Sequence, residues 1–190
     1  VERLKRELFI TPEIASAFLS VPREEFVPPE YRNSAYADCA LPLREGATIS
    51  QPSMLAIMLL EMDLQPGMDV LEVGSGSGYF LALLSQMGTN AVGVEIIPEL
   101  AEESQKTLQS LGYPATVIQG DAAQVTYDRL FDRVVFSAAI PSIPQWSRDL
   151  LKPEGFVLAP VGERDFQQLV RGYKETDVPT GRYCRFVPFV

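Results

Sequence analysis

From Asp69 to Val161, short apolar runs alternate with longer stretches whose apolar positions recur every three or four residues. The runs around 69–73, 91–95, 115–118, 133–137 and 156–161 are rich in Val and short, as strands covered on both faces require. Between them Tyr79 to Met87, Pro98 to Leu111 and Gln145 to Leu150 carry helical spacing, so the middle of the chain predicts a parallel α/β sheet. The helix from Pro98 is the best punctuated: Pro98 starts it, Glu99, Glu102 and Glu103 fill its first turns, and Gly112 lies just past its end. Two strand-like runs, Gln167 to Tyr173 and Tyr183 to Val190, follow a KPEG turn and the strand at Phe156, and predict an antiparallel edge hairpin. Ahead of the sheet, residues 1–30 read as two short helices, the second capped by Thr11 with Pro12 in its first turn. Tyr31 to Ser50 is irregular, with Pro42 and Gly46, and arrives at ATISQPSM before a helix to about Met62. No repeat or composition break divides the chain, which predicts one domain over 1–190 with 1–50 as a helical and looped cap.

Composition narrows the chemistry. The 190 residues are 46% apolar and 22% charged, with 16 Lys plus Arg against 25 Asp plus Glu, a net charge of -9. That balance argues against nucleic acid and acidic membrane surfaces as partners. There is no histidine, which excludes imidazole as base or metal ligand and with it the Ser-His and Cys-His triads. Two cysteines, Cys39 and Cys184, are too few for a disulfide framework or a four-cysteine zinc site, so no metal is expected and a reducing, cytoplasmic setting is. Both read as small buried hydrophobes, Trp146 as a partly buried helix residue, and Phe186 and Phe189 as core strand residues. No apolar stretch approaches the roughly 20 residues of a membrane span, and VERLKRELF is too charged for a signal peptide.

VLEVGSGSGY puts Glu72, Gly74, Gly76 and Gly78 at a strand end and helix start, a turn that lets backbone approach a ligand closely. The spacing is G-x-G-x-G, with Ser75 and Ser77 as turn formers, and not the G-x-G-x-x-G of dinucleotide sites. Glu72 would oppose a pyrophosphate but suits an ammonium group. Glu95 closes the next strand 21 residues after Gly74, near the roughly 20-residue offset at which an acid accepts from ribose hydroxyls. Asp121, after the third strand, is placed for an adenine amino group. Glu95 and Asp121 alone read as solvated loop carboxylates; three acids at successive strand ends describe a pocket for S-adenosylmethionine, and the glycine spacing with Glu72 disfavours an NAD-linked oxidoreductase.

At these residues the chain resembles the protein-L-isoaspartate O-methyltransferases. The likeness runs through VPREEFVP (21–28), AYAD with ALPL (35–43), GATISQP (46–52), VLEVGSGSGY (70–79), VEIIPELAE (94–102), FDRVVFSAAIPSIP (131–144), LLKPEGFVLAPVG (150–162) and RFVPFV (185–190). It implies a doubly wound, Rossmann-like methyltransferase sheet of three layers. It also implies a monomeric cytoplasmic repair enzyme that methylates the free carboxyl of isoaspartyl residues in damaged proteins and releases S-adenosylhomocysteine. Carried over, the substrate-side serine falls on Ser50, with Thr48 and Ile49 in the cofactor wall. Cofactor contacts fall on Glu72, Gly74, Ser77, Glu95, Ile96, Asp121 and Ala122, with Ser75, Gly76 and Gly78 completing the turn. Substrate contacts fall on the loop around Leu41 to Ala47 and on Val187. Ser50 also suits the N-cap of the helix that follows. Many relatives have His or Tyr at Ser53, some a second His at Leu55; their turn acid is often Asp where Glu72 stands, and GDG is GDA here, with Ala122. The other readings are a methyltransferase of the same fold acting on another carboxylate or a small molecule, and a non-catalytic cofactor-binding relative.

The missing histidine selects among methyl transfers. A carboxylic acid has a pKa near ~4 and arrives ionised, so its methylation needs no general base. The expected work of the site is to align oxygen and methyl, worth up to roughly 7–11 kcal/mol, with the Ser50 hydroxyl orienting the carboxylate.

Overall fold

The computed structural model describes residues 1–163 and 166–189. It opens with α1 (Glu2–Leu8) and α2 (Pro12–Ser20). Thr11 Oγ1 accepts the Ile14 N–H at 3.3 Å, and Pro12 takes a first-turn position where a missing N–H costs nothing. Short 3-10 turns at Arg23–Phe26, Pro29–Ser34 and Arg44–Gly46 follow, with a small antiparallel ladder of β1 (Leu41–Pro42) and β2 (Thr48–Ile49). The stretch that reads as irregular thus has a framework of its own, built from short 3-10 turns and a two-residue ladder too brief to leave a hydrophobic period.

The remaining elements are α3 (Pro52–Met62), β3 (Asp69–Val73), α4 (Tyr79–Gln86), β4 (Asn90–Glu95), α5 (Pro98–Ser110), β5 (Thr116–Gln119), β6 (Phe131–Phe136), α6 (Gln145–Asp149), β7 (Leu151–Glu163), β8 (Phe166–Gly172) and β9 (Asp177–Cys184). Seven strands form one sheet in the order β5-β4-β3-β6-β7-β8-β9, parallel from β5 to β7 and antiparallel at the last two. Its faces follow the two-residue period of the strands. Val70, Val135, Leu158 and Leu169 pack with α3, α4 and Leu108 of α5, whereas Leu71, Val73, Val134, Phe136 and Val157 pack with Ile143, Trp146 and the loop holding Ala122. The fold is the doubly wound α/β arrangement expected, with one outer layer thick and the other thin.

Chain order explains the site's location. From β3 the chain winds outward through β4 to β5, then crosses to the other side of β3 at β6. The strands that follow β3 therefore lie on both sides of it, the strand order reverses there, and a crevice opens beyond its carboxyl end and that of its neighbours.

Two expectations need correction. The edge hairpin pairs β8 with Asp177–Cys184, so of the expected run Tyr183 to Val190 only Tyr183 and Cys184 join it, and Val190 lies outside the described residues. β9 is an edge strand exposed along most of its length, so its backbone pairs without the alternation that marks a half-buried strand. The apolar FVPF run leaves the sheet and finds its hydrogen bonds elsewhere: the Phe186 N–H donates to Gln167 Oε1 at 2.6 Å, the Ala139 N–H to Val187 O at 2.8 Å, and the Phe189 N–H to Ala139 O at 2.8 Å. Second, KPEG does not separate two elements. It is an irregularity within β7, where Leu151 faces Phe131 and Phe156 already faces Arg133.

Candidate active site

β3 ends at Val73, and the chain turns through GSGSG into α4. Gly74, Gly76 and Gly78 have φ of 78°, 51° and 80°, a backbone region that strains residues with a side chain. The Gly74 and Ser75 N–H groups both donate to Val94 O, at 2.9 and 3.2 Å, which ties the turn to β4. It lies flat there because position 93 is glycine: a Cβ would stand 2.6 Å from Leu81 Cδ1 and 2.8 Å from Ser75 Cβ. Gly78 has a different task from its neighbours, packing α4 against Ser104 and Leu108 of α5, outside the cavity walls.

Beyond the turn lies a cavity of about 390 Å³, bounded by Ala47, Thr48, Gly74, Gly76, Glu95, Ile96, Asp121, Ala122 and Val187. It continues into a small recess of about 30 Å³ lined by Ile49, Ser50, Glu72, Ser75 and Ser77, and Thr48, Gly74, Gly76 and Ser137 border both. The two spaces bring together every site residue anticipated from the sequence except Gly78 and Leu41. Leu41 is 5% exposed in the hydrophobic core, paired with Ile49, and lines neither space. Its strand offers the backbone to β2, and the side chain belongs to the core cluster.

Three carboxylates stand at the ends of β3, β4 and β5. Glu95 accepts the Gly76 N–H at 2.7 Å and the Ile97 N–H at 3.0 Å, one on each oxygen, and so joins the glycine turn to the start of α5. Asp121 closes its own turn, accepting from Ala123 N–H at 2.9 Å and from the Gln124 side chain at 2.8 Å. Glu72 differs from both. It is 1% exposed; Oε1 accepts the Ser137 hydroxyl at 2.6 Å, and buried Oε2 has no partner among the described residues. Burial pushes its pKa up to about 8, against the Ser137 hydrogen bond and with help from the Glu95 carboxylate. One oxygen of a buried carboxyl is thus left open at the wall of the recess.

Ser50 sits between β2 and α3. Its carbonyl accepts from Arg23 Nη2 at 2.8 Å, while its hydroxyl bonds to no described residue. It does not cap α3: Gln51 holds that position, and the Asp38 carboxylate accepts the Ser53 N–H at 2.9 Å. Ser53 accepts from Gln51 Nε2 at 2.8 Å and borders neither space, whereas Leu55 lines the recess.

Several participants escaped the sequence reading. Ser137 ends the run after β6, which a strand-end search reaches, but its bond to Glu72 depends on the pairing of β3 with β6. Phe189, read as a core strand residue, is 37% exposed and lines the cavity with its ring 5.7 Å from that of Phe136. Phe186 is buried as expected but lies outside any strand. Neither cysteine is a buried hydrophobe: Cys39 is exposed, and Cys184 is half-buried with its thiol pushed up to about 11 by burial.

The family model described as protein-L-isoaspartate(D-aspartate) O-methyltransferase matches residues 1–190. The chain belongs to this family. It is 41% identical over 208 residues to the protein-L-isoaspartate O-methyltransferase of Hyperthermus butylicus, covering 100% of this chain and 86% of the relative. The enzyme of the same name from Methanopyrus kandleri is 39% identical over 201 residues, covering 100% and 89%. A crystal structure from Plasmodium falciparum, described as a protein-L-isoaspartate O-methyltransferase in complex with S-adenosyl-L-homocysteine, superposes with a TM-score of 0.84 at 25% identity, covering 98% of this chain and 94% of that one. In this isoaspartate methyltransferase the glycine turn borders both spaces, and the vacant Glu72 oxygen and the Ser50 hydroxyl belong to residues lining the smaller one.

Proposed function

We propose that this chain transfers a methyl group from S-adenosylmethionine to the free carboxyl of isoaspartyl residues in damaged proteins, with Ser50 orienting the accepting carboxylate. The observation that carries the reading is the half-paired, fully buried Glu72 on the same recess as the unengaged Ser50 hydroxyl. The residues present fit the cofactor: a vacant buried oxygen for its ammonium group, Glu95 for ribose hydroxyls, and Ile96, Asp121 and Ala122 around the base. When bound, S-adenosylmethionine supplies an electrophilic methyl on a sulfonium.

The chain's own residues then have three tasks. Glu72 gives up its proton to meet a cation. Thr48, Ile49 and Leu55 shield the recess from water. Ser50 donates a hydrogen bond to a carboxylate that needs no deprotonation, which is why a chain without histidine suits this acceptor. A single hydroxyl is better matched than an arginine clamp, because the oxygen loses charge as the ester forms. Ala47 and Val187, at the outer cavity, would hold the peptide backbone under the cap formed by residues 1–50. We further read the enzyme as a monomer of the cytoplasm that does not engage nucleic acid; among the described residues no helix is long and apolar enough to cross a membrane.

The test is tritiated methanol released from an isoaspartyl peptide after transfer from labelled cofactor, with an aspartyl peptide as control. Ser50→Ala is expected to lower turnover about tenfold or more with cofactor affinity nearly unchanged. Turnover equal to the parent would remove Ser50 from the mechanism, and equal labelling of both peptides would remove the isoaspartyl reading.

A further inference from the structure

Arg23 is an arginine in an unusual place. It lies within the charged run PREE, yet it is 0% exposed and forms no ion pair with a described residue. Its guanidinium is directed at backbone. Nε donates to Ala35 O at 2.7 Å, Nη2 donates to Ser50 O at 2.8 Å, and Nη1 has no partner among the described residues. The cation stands 4.8 Å from the centre of the Tyr79 ring, and Tyr79 itself lines the recess beside Ser50.

Burying a cation with no counter-ion is costly, and burial accordingly lowers the pKa of this guanidinium. A brace for the fold alone does not require a charge. What arginine adds is a rigid planar fork that joins two carbonyls in one fixed geometry. Here the two belong to residues 35 and 50, so one side chain sets the peptide plane of Ser50 against a buried point of the cap. The Ser50 peptide has no regular secondary structure to hold it: β2 ends at Ile49 and α3 begins at Pro52.

We propose that Arg23 is a positioning residue for methyl transfer, fixing the Ser50 peptide so that the hydroxyl faces the recess. It acts through Ser50 and not on the substrate, and the proposal rests on the role of Ser50 given above. Lysine keeps the charge but is a point donor on a flexible stem and cannot hold both carbonyls in register. The cofactor-side carboxylates Glu72 and Glu95 make no bond to Arg23, so the fork can be removed without altering them.

The experiment compares Arg23→Lys, Ser50→Ala and the double variant with the parent. It reads kcat and KM on an isoaspartyl peptide, the Kd of S-adenosylhomocysteine by calorimetry, and the thermal melt. Arg23→Lys is expected to lower kcat about tenfold or more, because small misplacements at a reacting centre are expensive, with the Kd within about threefold and a cooperative melt retained. The double variant is expected to be no slower than the slower single variant, since both changes remove one function. The proposal is overturned if Arg23→Lys turns over within about threefold of the parent or if the two losses multiply. It is equally overturned if S-adenosylhomocysteine binding or the cooperative melt is lost along with turnover, which makes Arg23 a brace of the whole fold. Ser50→Ala at parental turnover sinks the Ser50 reading itself, and is told apart because that variant leaves the Arg23 fork intact.

Discussion

Glu72 and Glu95 are the same residue at the carboxyl ends of adjacent parallel strands, 1% and 5% exposed, yet they are prepared for opposite tasks. Each oxygen of Glu95 accepts a backbone N–H, so its carboxylate is part of the architecture of the glycine turn whether or not a ligand is present. Glu72 has a single hydroxyl on one oxygen and nothing on the other. The difference teaches that equal burial does not mean equal hydrogen bonding: Glu72 keeps an oxygen with no partner, whereas Glu95 is held by the turn and has only its second lone pairs left to offer a ribose.

Breaking the vacant member has the largest expected effect. Glu72→Gln should weaken S-adenosylmethionine binding roughly 100-fold by calorimetry, the scale on which one partner of a buried charge pair is missed. The same substitution should relieve the ligand-free protein. Between about pH 4.5 and 8 the folded chain keeps a proton on Glu72 that the unfolded chain has shed. Its contribution to stability is complete below that window, falls by up to ~1.4 kcal/mol per pH unit across it, and is flat above. Urea titrations at pH 5 to 8 should show the parent losing stability relative to Glu72→Gln as pH rises; parallel curves would mean that Glu72 ionises normally.

Glu95→Gln comes next. It keeps one acceptor but turns the other oxygen into a donor facing an N–H, so cofactor affinity should fall about tenfold and the melt should drop with it. A variant that binds tenfold less tightly but melts like the parent would mean that Glu95 serves the ligand and not the turn. The smallest effect belongs to Asp121→Asn. Both oxygens of Asp121 are engaged within its own turn, and the substitution keeps one acceptor in place, so affinity for S-adenosylhomocysteine should change about threefold or less. A larger loss would show that Asp121 reads the base directly.

The same contrast separates what the sequence reveals from what it hides. Strands β3, β4 and β6 are visible because central parallel strands are apolar nearly throughout, and the glycine turn is visible because its backbone demands glycine. Glu72, Glu95 and Asp121 follow by counting strand ends. The division of labour between the first two does not, since it depends on which N–H and O–H groups neighbouring strands bring up. Arg23 is hidden more deeply: within PREE nothing distinguishes a solvated arginine from a fully buried one, and only the cap folding over it decides. The FVPF run shows the opposite failure. Its pattern is that of a strand, but the buried side chain of Gln167 captures the Phe186 backbone at both its N–H and its carbonyl, while the exposed residues 177–184 take the edge.

Position 93 lies outside every motif that identifies the turn, yet it governs how that turn is built. Any side chain there must push back Leu81 or Ser75, and with Ser75 the amide that anchors the turn on Val94. A mutational library confined to GSGSG would therefore sample sequences already limited by a residue it leaves constant. For anyone redesigning the cofactor preference of this enzyme, the permissive unit is the turn together with the bare patch of strand beneath it, and the patch has to be kept bare first.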